Sequence, residues 1–321
     1  MVKLISKFTI KVLIVVALVV SVSLYLFTFE VSSKIETESS SAGLSSFSST
    51  STSAVFSNDT NWAGYVVASD IQNPQANVTS VSASWTVPTV NISSENAYSA
   101  VWIGIGGFFE NTLIQTGTEQ DSIQGQGEYF AWVELLPQTA VTIYDITVLP
   151  GDQISASIQL VDANFDQWSV SINDITANQE YTGDFFYASS QLSAEWIVER
   201  PELTSSRSRG NLTSLADVGT VTFTSCQATI GGETGPISSF PTVQSVMYET
   251  IDSTTGSGSM QLATVSDLTD NGSSFTVETS PSAIPEMSAL ILVPSIIGIS
   301  LIAAILKKRA RLFQNNSQKS I

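Results

Sequence analysis

Through the middle of the chain, apolar residues alternate with small or polar ones. Val81-Ser82-Ala83-Ser84-Trp85-Thr86-Val87, Ile154-Ser155-Ala156-Ser157-Ile158-Gln159-Leu160 and Trp168-Ser169-Val170-Ser171-Ile172 have the two-residue period of strands with one buried face. Turn-forming clusters at Pro150-Gly151-Asp152, Asn164 to Gln167 and Gly231-Gly232 separate such runs. Between the two ends no amphipathic helix of ordinary length interrupts them, so pattern alone predicts an all-β sandwich or barrel. Two apolar segments each hold a polar side chain where burial is expected: Leu113-Ile114-Gln115-Thr116-Gly117-Thr118 and Ala194-Glu195-Trp196-Ile197-Val198-Glu199. Strand alternation puts Glu195, Ile197 and Glu199 on one face and Ala194, Trp196 and Val198 on the other. By the same rule Phe130, Trp132, Glu134 and Leu136 share a face. Gln115 shares one with Leu113 and Gly117, where the glycine is expected to leave room for a substrate backbone.

Both ends of the chain are strongly apolar. Lys3, Lys7 and Lys11 precede an uncharged run from Val12 to Phe29, long enough for a secretory signal peptide or an uncleaved anchor within residues 1–29. Met287 to Leu306 carries no charge and is followed by Lys307, Lys308, Arg309 and Arg311, the pattern of a spanning helix with a cytoplasmic basic flank. With both basic flanks inside, everything between them faces outward. Thr37 to Ser57 contains 13 Ser or Thr in 21 residues, which predicts a flexible stalk over residues 30–57. Residues 58–280 are then one domain, with residues 281–321 as a transmembrane or sorting segment. Five Asn-x-Ser/Thr sites, at Asn58, Asn77, Asn91, Asn211 and Asn271, fit an exported surface.

Charge and residue usage narrow the chemistry. From Asn58 to Ser280 there are 25 Asp and Glu against Arg200, Arg207 and Arg209, with no lysine. Such a domain repels polyanions, which argues against nucleic acid, and it loses its self-repulsion where carboxylates with pKa near ~4 become neutral. The chain has no histidine. A Ser-His-Asp triad, a Cys-His pair and histidine-ligated zinc are therefore unavailable, and no cofactor or metal is expected. Cys226 is the sole cysteine, so no internal disulfide can form. Its strand pattern, Val221-Thr222-Phe223-Thr224-Ser225-Cys226, predicts a core thiol. Gly104, Gly106 and Gly107 fail the spacing of a dinucleotide loop, and Asp162-x-Asn164-x-Asp166 reads as a hairpin turn because it lacks the glycine and glutamate of a calcium loop.

Six blocks, in order, closely resemble the glutamic peptidases, the eqolisin family of acid endopeptidases. They are Asn61-Trp62-Ala63-Gly64-Tyr65, Trp85-Thr86-Val87-Pro88, Trp102-Ile103-Gly104-Ile105-Gly106-Gly107, Leu113 to Thr118, Ala131-Trp132-Val133-Glu134-Leu135-Leu136-Pro137 and Ala194 to Glu199. The resemblance implies a two-sheet antiparallel β-sandwich, a lectin-like jelly roll whose concave sheet carries the site. It implies Gln115 and Glu199, not Glu195, as the catalytic pair, and Trp102, Glu134, Glu119 and Trp132 as residues that support the site or bind substrate. The implied activity is hydrolysis of polypeptides with an acidic optimum. Fungal members have Asp where this chain has Gly106, and disulfides that it lacks. Pro285-Glu286-Met287 with the apolar run and basic tail is similar to carboxy-terminal sorting signals of archaeal surface proteins, which implies a sortase-like processing partner.

Two other functions remain compatible with the residues alone. A sandwich on a stalk could be a carbohydrate-binding or adhesion module with Trp62, Trp85 and Trp132 as stacking platforms. A glycosidase could use Glu134 and Glu199 as its carboxylate pair. The basic residues Arg200, Arg207 and Arg209 read as a solvated loop or as contacts to substrate carboxylates.

Overall fold

The computed structural model describes residues 55–202, 212–253 and 256–280; the apolar runs at both ends, most of the Ser/Thr-rich stretch, Arg207, Arg209 and the site at Asn211 lie outside them. Among the described residues no helix is long and apolar enough to cross a membrane. The chain folds into two facing sheets, with two short 3-10 turns as its helical elements among the described residues.

The first sheet runs in the order β1 (Val55–Asp59), β14 (Thr242–Ser253), β2 (Trp62–Val67), β11 (Ala194–Glu199), β4 (Ala100–Gly106), β5 (Leu113–Ile123), β6 (Gln126–Leu135) and β7 (Val141–Ile143), with β15 (Gly256–Gln261) paired to β14. The second runs β10 (Gln179–Phe186), β9 (Gln167–Asp174), β8 (Gln153–Asp162), β3 (Val78–Thr86), β12 (Thr220–Ile230), β17 (Phe275–Thr279) and β16 (Ala263–Val265), with β13 (Glu233–Pro236) on β12. The three alternating runs of the sequence form β3, β8 and β9, with Val87 just past the end of β3. Pairing is antiparallel except between β1 and β14, which are parallel from Val55 opposite Val243 to Asp59 opposite Met247. This pair makes the sandwich depart from a purely antiparallel one, and it starts the fold three residues before the expected boundary at Asn58.

The core fills the space between the sheets. Ala194, Trp196 and Val198 of β11 join Val101, Ile103 and Ile105 of β4 and Trp85, Ile158, Trp168 and Phe223 of the second sheet in one apolar cluster. Cys226 belongs to the same cluster and is fully buried. Two indoles fasten the layers together, because a buried indole N–H needs a partner: Trp85 Nε1 donates to Thr118 Oγ1 at 3.0 Å and Trp196 Nε1 to the Ser82 carbonyl at 2.9 Å. A smaller apolar cluster, including Val66, Ala100, Trp102, Leu113, Trp132 and Ile197, occupies the opposite face of the first sheet. That face carries the cleft.

Candidate active site

Register assembles the site in three rows. Directly opposed residues of antiparallel strands project to the same face. Glu199 of β11 lies beside Trp62 and Ala100, and Ala100 beside Glu119, which faces Phe130. Two residues along, Ile197, Trp102, Gly117 and Trp132 form the next row, and Glu195, Gly104, Gln115 and Glu134 the third. Above these rows is a cleft of about 820 Å³ lined by Gln115, Glu119, Trp132, Glu134 and Glu199 among others. Trp102 is fully buried and touches the site through its indole N–H, which bonds Glu199. All six residues expected from the sequence therefore meet on one face.

Glu199 is half-buried and well held. Trp102 Nε1 donates to its Oε2 at 2.8 Å, and Asn61 Nδ2 donates to its Oε1 at 3.1 Å. Trp62 packs edge-on against Trp102, ring centroids 5.0 Å apart, and so fixes the indole. Burial pushes the Glu199 carboxyl up to about 7, with the charge of Glu134 adding to the rise and the Trp62, Trp102 and Asn61 donors opposing it. This is well above the ordinary carboxylate range that underlies an expectation of a strongly acidic optimum.

Gln115 is nearly closed off, with 4 % of its surface exposed. Its Nε2 donates to Glu134 Oε2 at 2.7 Å, which leaves the second amide hydrogen and an unpartnered Oε1. Glu134 is raised by burial, and the Gln115 bond works against that shift. Glu119 is raised well above its ordinary value, first by burial and then by Asp121, Glu199 and Glu134. The site is thus a set of mutually repelling carboxyl groups that together favour retaining protons.

Glycine has a different use here from the one the sequence suggests. A Cβ at Gly117 would fall 2.5 Å from Trp102 Cβ, and one at Gly104 would fall 2.7 Å from Trp102 Cζ3. At Gly104 the Trp102 ring takes the space, and at Gly117 the backbone of β4 takes it, with the Val101 carbonyl oxygen 2.3 Å from a Cβ, so neither position is kept bare for substrate to approach. Gly106 has φ of +93°, and a Cβ there would meet the Thr112 carbonyl oxygen at 2.3 Å. No side chain fits, so the aspartate implied by the resemblance has no counterpart at this position.

Glu195 lies on the same face as Glu199 but outside the cleft. It has no exposed surface and neither carboxyl oxygen has a hydrogen-bond partner. Burial raises its pKa far above the ordinary value, with Glu110 adding repulsion. Beside it, the space above Gly104 is taken by Trp102 and Leu113. The sequence gives no role to Asn61, although it opens the first of the six blocks; Asp59, Phe108 and Glu202 also line the cleft unannounced. Arg200 is neither in a solvated loop nor free to meet substrate. It is 4 % exposed and its Nη1 lies 3.1 Å from Glu249 Oε1.

Comparison with known proteins bears on the fold and the family. The scytalido-glutamic peptidase, solved with a transition state analog inhibitor, superposes with a TM-score of 0.55 at 23 % identity, covering 69 % of this chain and 99 % of that one. SCP-B, a member of the eqolisin family solved with the tripeptide Ala-Ile-His, has a TM-score of 0.50 at 22 % identity, with the same coverage. These likenesses concern the fold. In sequence, aspergillopepsin-2 from Aspergillus niger is 32 % identical over 201 residues, which span 55 % of this chain and 67 % of the relative. The profile of the Peptidase A4 family matches residues 60–280, from the turn that bears Asn61 to the end of the second sheet, so the chain belongs to that family and is a peptide-bond hydrolase.

Proposed function

We propose that the protein is a glutamic endopeptidase in which Glu199 and Gln115 act as a pair. The observation that carries this reading is the contrast within the cleft wall: Glu199 opens into the cavity while two N–H donors hold both of its oxygens, and Gln115 lines the same cavity. A carboxylate held this way can take a proton from a water as the water oxygen attacks the scissile carbonyl carbon. The same group then returns the proton to the leaving nitrogen as the C–N bond breaks. The Gln115 amide donates its free hydrogen to the developing oxyanion, a contribution of about 3 kcal/mol to the barrier for one well-placed donor. Glu134 fixes the amide orientation, and Trp102 fixes the base. With the family known, the adhesion and glycosidase alternatives have no observation in their favour.

The surroundings of the site fit an exported enzyme acting on polypeptides. Residues 58–280 form the catalytic domain in this reading, held at the outer face of the envelope by the terminal apolar segments or released by a sortase-like enzyme. The deciding assay is hydrolysis of a denatured protein by the purified protein across about pH 3 to 7, wild type against Glu199→Gln, since only the former has a group able to accept the water's proton. Full activity in the variant would remove the proposal. Resistance of the domain to protease added to intact cells would remove its outward orientation.

A further inference from the structure

Arg200 is the only basic side chain among the described residues, and it is buried one position after Glu199. A guanidinium taken from water is costly unless its donors are used. Here both terminal nitrogens are used, in one direction, while Nε is buried without a partner. Nη2 donates to the Thr60 carbonyl at 2.9 Å, the Arg200 backbone N–H donates to the Asn61 carbonyl at 2.9 Å, and Nη1 meets Glu249 on β14. Two consecutive carbonyls of the turn between β1 and β2 are therefore held by one residue. The turn is closed from within by Asp59 Oδ1, which accepts from the backbone N–H groups of Asn61 at 2.9 Å and Trp62 at 3.2 Å. Its product is the placement of Asn61 Nδ2, 3.1 Å from Glu199 Oε1.

We infer that Arg200 is a positioning residue for the general base: it staples the ends of β11 and β14 to the β1–β2 turn, and through that turn it sets the hydrogen bond from Asn61 to Glu199. This rests on the reading of Glu199 as the base. The titratable groups that face Glu199 are Glu119 on β5 and Glu134 on β6, with Asp59 and Glu202 at the cleft rim; Glu249 faces Arg200. All of these facing groups are acidic. No charged neighbour can replace the Asn61 donor, and with only the Trp62 and Trp102 indoles left to oppose burial the carboxylate form becomes harder to reach.

The test is the pH dependence of kcat/KM on a peptide substrate, using the full chain. Asn61→Ala should move the acid limb upward by about one pH unit, the equivalent of one lost hydrogen bond to a charged group. Arg200→Met, which removes the donors without leaving a buried charge, should give a shift of the same direction and size. Asn61→Ala/Arg200→Met should shift no further than either single variant. Arg200→Lys keeps a charge for Glu249 but not the fork, and should fail to restore the wild-type limb. Glu249→Gln, at a side chain 44 % exposed, gives a milder variant if Arg200→Met does not fold, and should shift the limb less but in the same direction. An unmoved limb with activity reduced equally at every pH, or shifts that add in the double variant, would overturn the inference. Glu199→Gln, measured alongside, separates the two possible failures. If it is inactive and the limb stays put, the relay is wrong; if it is active, the assignment of the base is wrong.

Discussion

Glu195 and Glu199 share one face of one strand, yet the two ends of β11 have little else in common. At Glu195 the neighbouring position is Gly104, and the indole of Trp102 and the Leu113 side chain fill the space above it. At Glu199 the neighbour is Ala100, the carboxylate opens into the cleft, and Asn61 and Trp102 satisfy its oxygens. Alternation assigns a side chain to a face; what lies over that face decides whether it meets a substrate or a seal.

The largest effect that can break this contrast is substitution of the two glutamates in turn. Glu199→Gln should lower kcat by on the order of 1000-fold or more, because the amide cannot accept a proton. Glu195→Gln should stay within a few-fold of wild type, with circular dichroism confirming both folds. Greater sensitivity at Glu195 would reverse the assignment. The next effect concerns the partner of the base: Gln115→Ala should reduce turnover on the order of 100-fold with KM little changed, because the donor acts on charge that develops only in the transition state.

Acidity offers a third measurement. Glu195 and Glu119 are raised well above their ordinary values by burial, and Asp121 and Glu199 are each pushed up to about 7 for the same first reason. For a carboxyl raised in the folded state, the unfolded chain releases its proton first, so stability is full below the unfolded pKa of about 4 and falls as pH rises towards the folded value. The midpoint of thermal unfolding should accordingly be higher at about pH 4 than at about pH 7, and Glu195→Gln should flatten that dependence. A midpoint independent of pH over this range would contradict the burial of these groups. In kinetics, the same rise places the acid limb of kcat/KM well above the ordinary carboxylate value of about 4.3. A limb found near pH 3 would mean that the Glu199 carboxyl is not raised in the free enzyme or that Glu199 is not the base.

The smallest expected effect is none. Cys226 is fully buried, and burial pushes its thiol far from ionisation, so alkylating reagents should leave the folded enzyme active. The proposed chemistry uses only a carboxylate and an amide, so EDTA should leave it active as well. Strong inhibition by EDTA, reversed by added calcium or zinc, would require another mechanism.

Much of this was legible in the sequence because a strand's period is local. The facing of Glu199, Gln115 and Glu134 follows from alternation, and the runs within β3, β8 and β9 from the same rule. What the pattern could not carry was anything decided across strands. The parallel pairing of β1 with β14 joins segments far apart in sequence. The bareness of Gly104 makes sense only once the Trp102 ring is seen lying over it, and that of Gly117 only once the backbone of β4 is seen pressed against it. Arg200 looked like the start of a solvated loop because its partners, Thr60 and Glu249, are distant along the chain. Asn61 had no assigned role because a turn asparagine looks like any other until its carboxylate partner is brought to it.

The buried arginine also changes how the enzyme meets other proteases. After Lys34 the next basic residue in the chain is Arg200, and it is followed by Pro201, a junction at which cleavage after arginine is blocked. Its side chain is sequestered as well. An enzyme that cuts after lysine or arginine therefore finds no place to start anywhere from residue 55 to residue 202, whether the domain is folded or not. The segment that forms most of the catalytic sheet is released by such a digestion only as part of one very large fragment, and peptide mapping of this protein needs a protease that reads acidic or aromatic residues instead.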